Sequence, residues 1–182
     1  MPQKIQKYKH EKLFLILITL FNLFNIQRLK AEEVLYIGAI PDQKPERLNR
    51  LYDVLASELS EQLKVQVRYK SVINYPAAVT AFRTGNLDLV WFGGLTGVQA
   101  RLQTKGAQVL VQRDIDEKFH SVFIANKKSS IKKINNINEL KSLKNKRFTL
   151  GSESSTSGRL MPQYFLNKAD VQLKEFKGGS PG

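Results

Sequence analysis

Residues 87–92, Leu-Asp-Leu-Val-Trp-Phe, form a nearly unbroken apolar run, with Gly85 before it and Gly93 and Gly94 after it. A run this short and this apolar suits a strand covered on both faces, and the flanking glycines mark where it stops. Helices provide such cover, so the run predicts a parallel sheet with helical crossovers. The preceding sequence has the same rhythm. Residues 34–37 read as a strand ending in a turn over 38–42. Pro45 suits the first turn of a helix in which Leu48, Leu51, Leu55 and Leu59 are spaced for one face. Val65, Val67 and Tyr69 alternate as a half-buried strand. Asn74 is placed to cap a second helix, with Pro76 in its first turn and Gly85 placed to end it. A third helix is expected over 96–103, and further strands over 109–112 and 121–125. Strand and helix alternating through short connections predict an open α/β sheet with helices on both faces.

Near Asn126 the composition turns to Lys, Ser and Asn. A short helix is expected over 138–143, a strand over 148–150 and a helix from about Arg159 to Asn167. This second strand–helix unit reads as the opening of another domain, which the sequence up to Gly182 leaves unfinished. The first residues have a different character. Lys4, Lys7, Lys9 and Lys12 precede an apolar stretch over 13–26, and the small residue Ala31 follows. These are the parts of a secretory signal peptide, although Leu29 departs from the small residue usual two places before a cleavage site. The stretch is short for a bilayer span, which needs roughly 20 residues. The expected organisation is a signal peptide over 1–31, a first α/β lobe over 32–125 and an incomplete second lobe over 126–182.

Removal of the leader takes away six positive charges and one negative, leaving +8 of the original +13. The densest basic stretch, 127–147, carries eight Lys and Arg against Glu139 alone and contains no aromatic residue. An exported chain without aromatics among its basic residues is a poor candidate for nucleic acid, and a solvated surface or a field that favours an anion explains the charge better. Cysteine is absent, which excludes disulfides, thiolate metal sites and a cysteine nucleophile. His10 and His120 are the only histidines. His120 with Asp114 or Asp116 and a serine lacks a nucleophile-elbow pattern, and no carboxylate cluster has metal-ligand spacing. No catalytic residue, metal or cofactor is therefore expected, and binding is favoured over catalysis.

Two strand-to-helix turns carry the chemistry that remains. Ser154, Ser155, Thr156, Ser157 and Gly158 stand between the expected strand over 148–150 and the helix after it. The first turn of a helix offers unpaired N–H groups at the positive end of the helix dipole, and hydroxyls add movable donors. A single serine there would be an N-cap; four successive hydroxyls exceed what a cap requires and suit an anion. The turn is not a nucleotide P-loop, because the lysine is missing. Gly93, Gly94 and Thr96 form the second turn, at the carboxyl edge of the first sheet, where open α/β sheets bind ligands. Gly94 permits close backbone approach, Thr96 could cap and donate, and the phenol of Tyr75 could reach the same edge. A tight turn with no ligand remains the alternative.

The chain resembles the periplasmic substrate-binding proteins of ABC transporters for phosphonate, phosphate and related oxyanions. The resemblance runs from about Val34 onward. It rests on Ile40-Pro41, on 75–79 (Tyr-Pro-Ala-Ala-Val), on 85–93 (Gly-Asn-Leu-Asp-Leu-Val-Trp-Phe-Gly), on 121–124 (Ser-Val-Phe-Ile), and above all on 155–158 (Ser-Thr-Ser-Gly) followed by 160–162 (Leu-Met-Pro). Within the family, 91–94, 98–101, 113–116 and 119–122 look most like a selenate-binding branch. The resemblance implies a type II periplasmic binding protein fold: two lobes that close on an anion, here one complete lobe and the beginning of a second. It implies that Ser155, Thr156 and Ser157 hold the anion oxygens, opposed by Tyr75 and the turn from Gly94 to Thr96. Phe119 stands where phosphonate binders carry a ligand-facing tyrosine, and the sequence stops short of the family's Ser-His-Asp segment. A chain so ended is expected to bind its anion weakly or not at all.

The expected function is the solute-binding component of an importer for a small oxyanion such as phosphonate, phosphate or selenate. The expected setting is a periplasmic monomer partnered by a membrane permease. A membrane-tethered sensor or interaction domain, an exported hydrolase using His120, and a truncated product without function are the alternatives.

Overall fold

A computed structural model describes residues 33–178. The leader expected over 1–31 lies outside the described residues. Among the described residues no helix is long and apolar enough to cross a membrane.

Three parallel strands form the sheet, in the order β2-β1-β3: β1 over Val34–Ala39, β2 over Gln66–Tyr69 and β3 over Leu89–Trp91. Val34 pairs with Gln66 and Ile37 with Tyr69 on one side of β1, while Ile37 pairs with Leu89 and Ala39 with Trp91 on the other. Central placement explains why Ile37 and Ala39 are buried. Asp88 extends the β1–β3 ladder by one residue: its N–H donates to the Tyr36 carbonyl at 2.8 Å, and its carboxylate accepts from the Tyr36 N–H at 2.7 Å. Gly38 is required by packing, because a Cβ there would come within 2.5 Å of Leu87 Cδ1.

The first helix, α1, spans Pro45–Leu63 and starts on its proline without a side-chain cap. Leu48 and Ala56 are buried, and Tyr52 and Leu59 pack on the sheet side. Leu51 and Leu55, expected on the inward face, are exposed instead. The stripe turns towards Tyr52 and Ala56 because the Tyr52 ring stacks on Tyr69 at the end of β2, with centroids 5.0 Å apart. The second helix, α2, spans Tyr75–Arg83, and Asn74 caps it as its position predicted, accepting from the Ala77 N–H at 2.8 Å. Gly85 follows in the left-handed region at φ 73°. The third, α3, spans Gly94–Gln103 and packs on α2, with Phe82 and Phe92 in edge contact.

The strands expected over 109–112 and 121–125 do not form among the described residues. Neither stretch has regular structure, and Val109, Leu110, Val111, Val122 and Ile124 are exposed, with a 3₁₀ turn over Asp114–Lys118 between them. Their β-favouring composition remains unexpressed because a strand needs a neighbour's hydrogen bonds, and none of the described strands lies alongside. The stretch over 148–150 is likewise not a strand. The chain just before it bonds back to a later segment, Asn145 N–H to the Glu175 carbonyl and Lys177 N–H to the Lys146 carbonyl.

The second part closes around Leu140, Leu143, Leu166, Ala169 and Val171. Ile131, Ile134 and Ile137 pack against this cluster at three-residue spacing, and the expected helix over 138–143 is a 3₁₀ helix over Ile137–Leu143. The intervening lysines therefore point outward. The expected helix from Arg159 begins earlier, as a π turn over Thr156–Leu160 that runs into α4 over Met161–Lys168.

Candidate functional site

The hydroxyl turn is pinched shut by two glycines. Gly151 N–H donates to the Gly158 carbonyl at 2.8 Å, and a Cβ on Gly151 would come within 3.1 Å of the Gly158 Cα. Inside this pinch the Ser155 hydroxyl accepts from the Gly158 N–H at 3.1 Å and caps the π turn. The N–H groups of Thr156 and Ser157 come too early in the helix for an intrahelical acceptor. The serines, Thr156 and Gly158 are all half-buried.

Thr156 reaches out of the turn to α3. Its Oγ1 accepts a hydrogen bond from the Leu95 N–H at 2.7 Å, across 61 residues of sequence. Gly94 makes room for it: a Cβ there would stand 3.2 Å from the Thr156 hydroxyl oxygen. Tyr75, at the start of α2, brings its phenol near the Ser155 hydroxyl. Burial and then the Asp42 carboxylate push the Tyr75 pKa above ten, and the Ser155 hydroxyl offsets part of that rise. The phenol therefore stays protonated at neutral pH and can donate.

Four of the six residues expected to hold ligand are thus brought together in two pairs, Thr156 against Gly94 and Tyr75 beside Ser155. Ser157 follows in the same turn. Of the two roles expected of Thr96, capping and donating to a ligand, the structure shows the first. The residue is fully buried, and its hydroxyl accepts from the Gly93 N–H at 3.0 Å and lies 3.2 Å from the Gly93 carbonyl. Thr96 shapes the turn from behind.

Sequence reasoning missed a second group at the same sheet edge. Asp42 follows β1, Tyr69 ends β2 and Trp91 ends β3, so all three emerge at the carboxyl ends of the strands. Arg113 lies 5.3 Å over the Trp91 ring and is held by Asp116 at 2.7 Å. Tyr52 is pushed up to about 12 by burial, then by Asp42 and Tyr69, with Arg113 pulling the other way. Position at or just after a strand end was the available signal for Asp42, Tyr69 and Trp91. The imagined triad dissolves: Asp116 is paired with Arg113 and Asp114 accepts from the Ile115 N–H, while His120 and Phe119 are exposed. Among the described residues no three His, Asp or Glu side chains could hold a metal. A shallow groove lined by Asp53, Ser57, Ser60 and Arg68 contains none of the candidate residues.

An open parallel sheet that presents neutral hydroxyls and helix-start amides at its carboxyl edge has the features of an α/β protein that holds a small solute there. Residues 37–180 match the family described as ABC transporter, phosphonate, periplasmic substrate-binding protein. The chain belongs to that family. It is 57% identical over 163 residues to a protein of Prochlorococcus marinus named "Probable ABC transporter phosphite binding protein PhnD1", an alignment covering 90% of this chain and 55% of the relative. It is 28% identical over 150 residues to the phosphonates-binding periplasmic protein of Escherichia coli, covering 80% of this chain and 44% of the relative. The solved structure of Prochlorococcus PhnD1 in complex with methylphosphonate superposes with a TM-score of 0.80 at 60% identity, over 83% of this chain and 56% of that one. A binding-protein component of a phosphonate transporter from Pseudomonas aeruginosa superposes at 0.65 with 25% identity, over 81% and 50%. These neighbours place the fold in the type II periplasmic binding class, and the chain spans about half their length. The relatives are transport proteins that bind solutes, not enzymes.

Proposed function

We propose that this chain supplies the gripping surfaces of a periplasmic importer component that binds a small phosphorus oxyanion, methylphosphonate or phosphite, without converting it. The observation that carries this reading is the Leu95 N–H to Thr156 bond, which brings a hydroxyl-rich helix start against the open start of α3. Both surfaces present neutral donors. Such donors accept a compact anion without the long side chains that a lysine or arginine site would have to order. Tyr75 adds a phenol held protonated. Residues 32–125 and 126–182 act as the two walls. Residues 1–31 direct export, and a membrane permease receives the solute from the monomeric protein.

Methylphosphonate and phosphite are favoured over selenate because relatives at 57% and 60% identity are named for, or solved with, those two ligands. Competition in calorimetry tests the choice. The chain should bind methylphosphonate and phosphite weakly but measurably, and selenate and sulfate less. Equal binding of all four, or of none, would defeat the proposal.

A further inference from the structure

Helix α3 has no side-chain cap of its own for its first-turn N–H groups. Its N-cap is Gly93, which carries no side chain, and the Thr96 hydroxyl three residues on is turned back to the Gly93 N–H. The Leu95 N–H, one of the orphan donors of the first turn, is satisfied instead by Thr156, 61 residues later in the chain. By contrast, α2 is capped locally by Asn74 and the π turn by Ser155. The bare glycine pair therefore leaves an opening at α3 that fits a hydroxyl from elsewhere, and a Cβ on Gly94 would crowd that hydroxyl at 3.2 Å.

We propose that Thr156 is a detachable N-cap for α3, a positioning residue that latches the hydroxyl turn onto the first sheet before any anion arrives. The inference rests on the anion-binding reading of the same turn and deepens it. As acceptor, the Thr156 oxygen uses a lone pair on the Leu95 N–H; its own proton stays free for an anion oxygen. One hydroxyl thus ties the two walls together and passes the polarisation of the helix start to the solute. A ligand finds walls already joined, which lowers the cost of ordering them on binding.

The test is hydrogen exchange of the Leu95 amide in the full chain without ligand, read by NMR. Thr156→Val removes the acceptor while keeping the shape, and Thr156→Ser keeps it. The Val variant should lose about fivefold in Leu95 protection, the scale of one cap. The Ser variant should restore protection, and the Ile37 amide in the central strand should not change in either. Gly94→Ala, which crowds the hydroxyl from the other side, should weaken protection in the native background and add nothing to Thr156→Val. Equal Leu95 exchange in native and Val proteins, or a Ser variant that fails to restore it, would overturn the latch. Should Thr156→Val fail to fold, Gly94→Ala decides alone, and unchanged Leu95 protection in it would equally overturn the latch. The two readings fail separately. A protected Leu95 amide in a chain that ignores methylphosphonate leaves the latch and removes the ligand, and an unprotected one in a chain that binds methylphosphonate does the reverse.

Discussion

The part of the chain before residue 104 and the part after it use apolar residues in opposite ways. In the first, short apolar runs become paired strands, and the helices between them cover the sheet. Register sets Ile37 beside Leu89 and Leu35 beside Val67, and all four meet in one cluster. In the second, no strand ladder forms among the described residues. Ile131, Ile134, Ile137, Leu140 and Leu143 enter a cluster at intervals of three, built from 3₁₀ turns around Leu166 and Val171. The clusters share no residue. Regular local patterning holds up one, and long-range packing of an irregular chain the other.

That contrast can be broken by substitution. Leu166→Ala empties a fully buried site and should cost about 3 kcal/mol, with loss of exchange protection at Leu140 and Val171 and little at Ile37. Equal loss in both clusters would show that they are one cooperative unit. Gly38→Ala should cost about 2 kcal/mol in chemical denaturation, because the new Cβ overlaps the Leu87 side chain in the sheet. Asn74→Ala should cost about 1 kcal/mol by removing the cap of α2, again on the sheet side.

The smallest effect is a titration. Tyr52 is raised to about 12, so its folded form holds the proton more tightly than the unfolded chain does. The associated stability is fully present below the ordinary tyrosine value of ten and is lost as pH rises through about 12. Arg113 pulls this pKa down, so Arg113→Ala should move the Tyr52 ring titration higher still, as read by NMR. A shift in the other direction would remove Arg113 from that edge.

The same division governs what the sequence made legible. The apolar run over 87–92, the Asn74 cap and the Gly85 stop are local signals, and each has its counterpart in β3 and α2. Leu51 and Leu55 misled because periodicity fixes the width of a helical stripe but not which edge of it meets the sheet; the Tyr52–Tyr69 stack decided that. Residues 109–112 and 121–125 have strand composition, yet pairing is supplied by neighbours that composition does not name. At the site, Ser155, Thr156, Tyr75 and Gly94 were readable as turn and helix-start chemistry. Thr96 was readable as a cap, but its full burial was not, since a threonine at the third position of a helix can face either way. Asp42 and Arg113 escaped notice because they gather only when three strands end at one edge.

A site-resolved titration of the full chain with methylphosphonate tests the central claim most directly. Amide shifts concentrated at Gly94, Leu95, Thr156 and Ser157 are predicted, saturating together. Shifts centred on the basic stretch over 127–147, with those four amides unmoved, would contradict it.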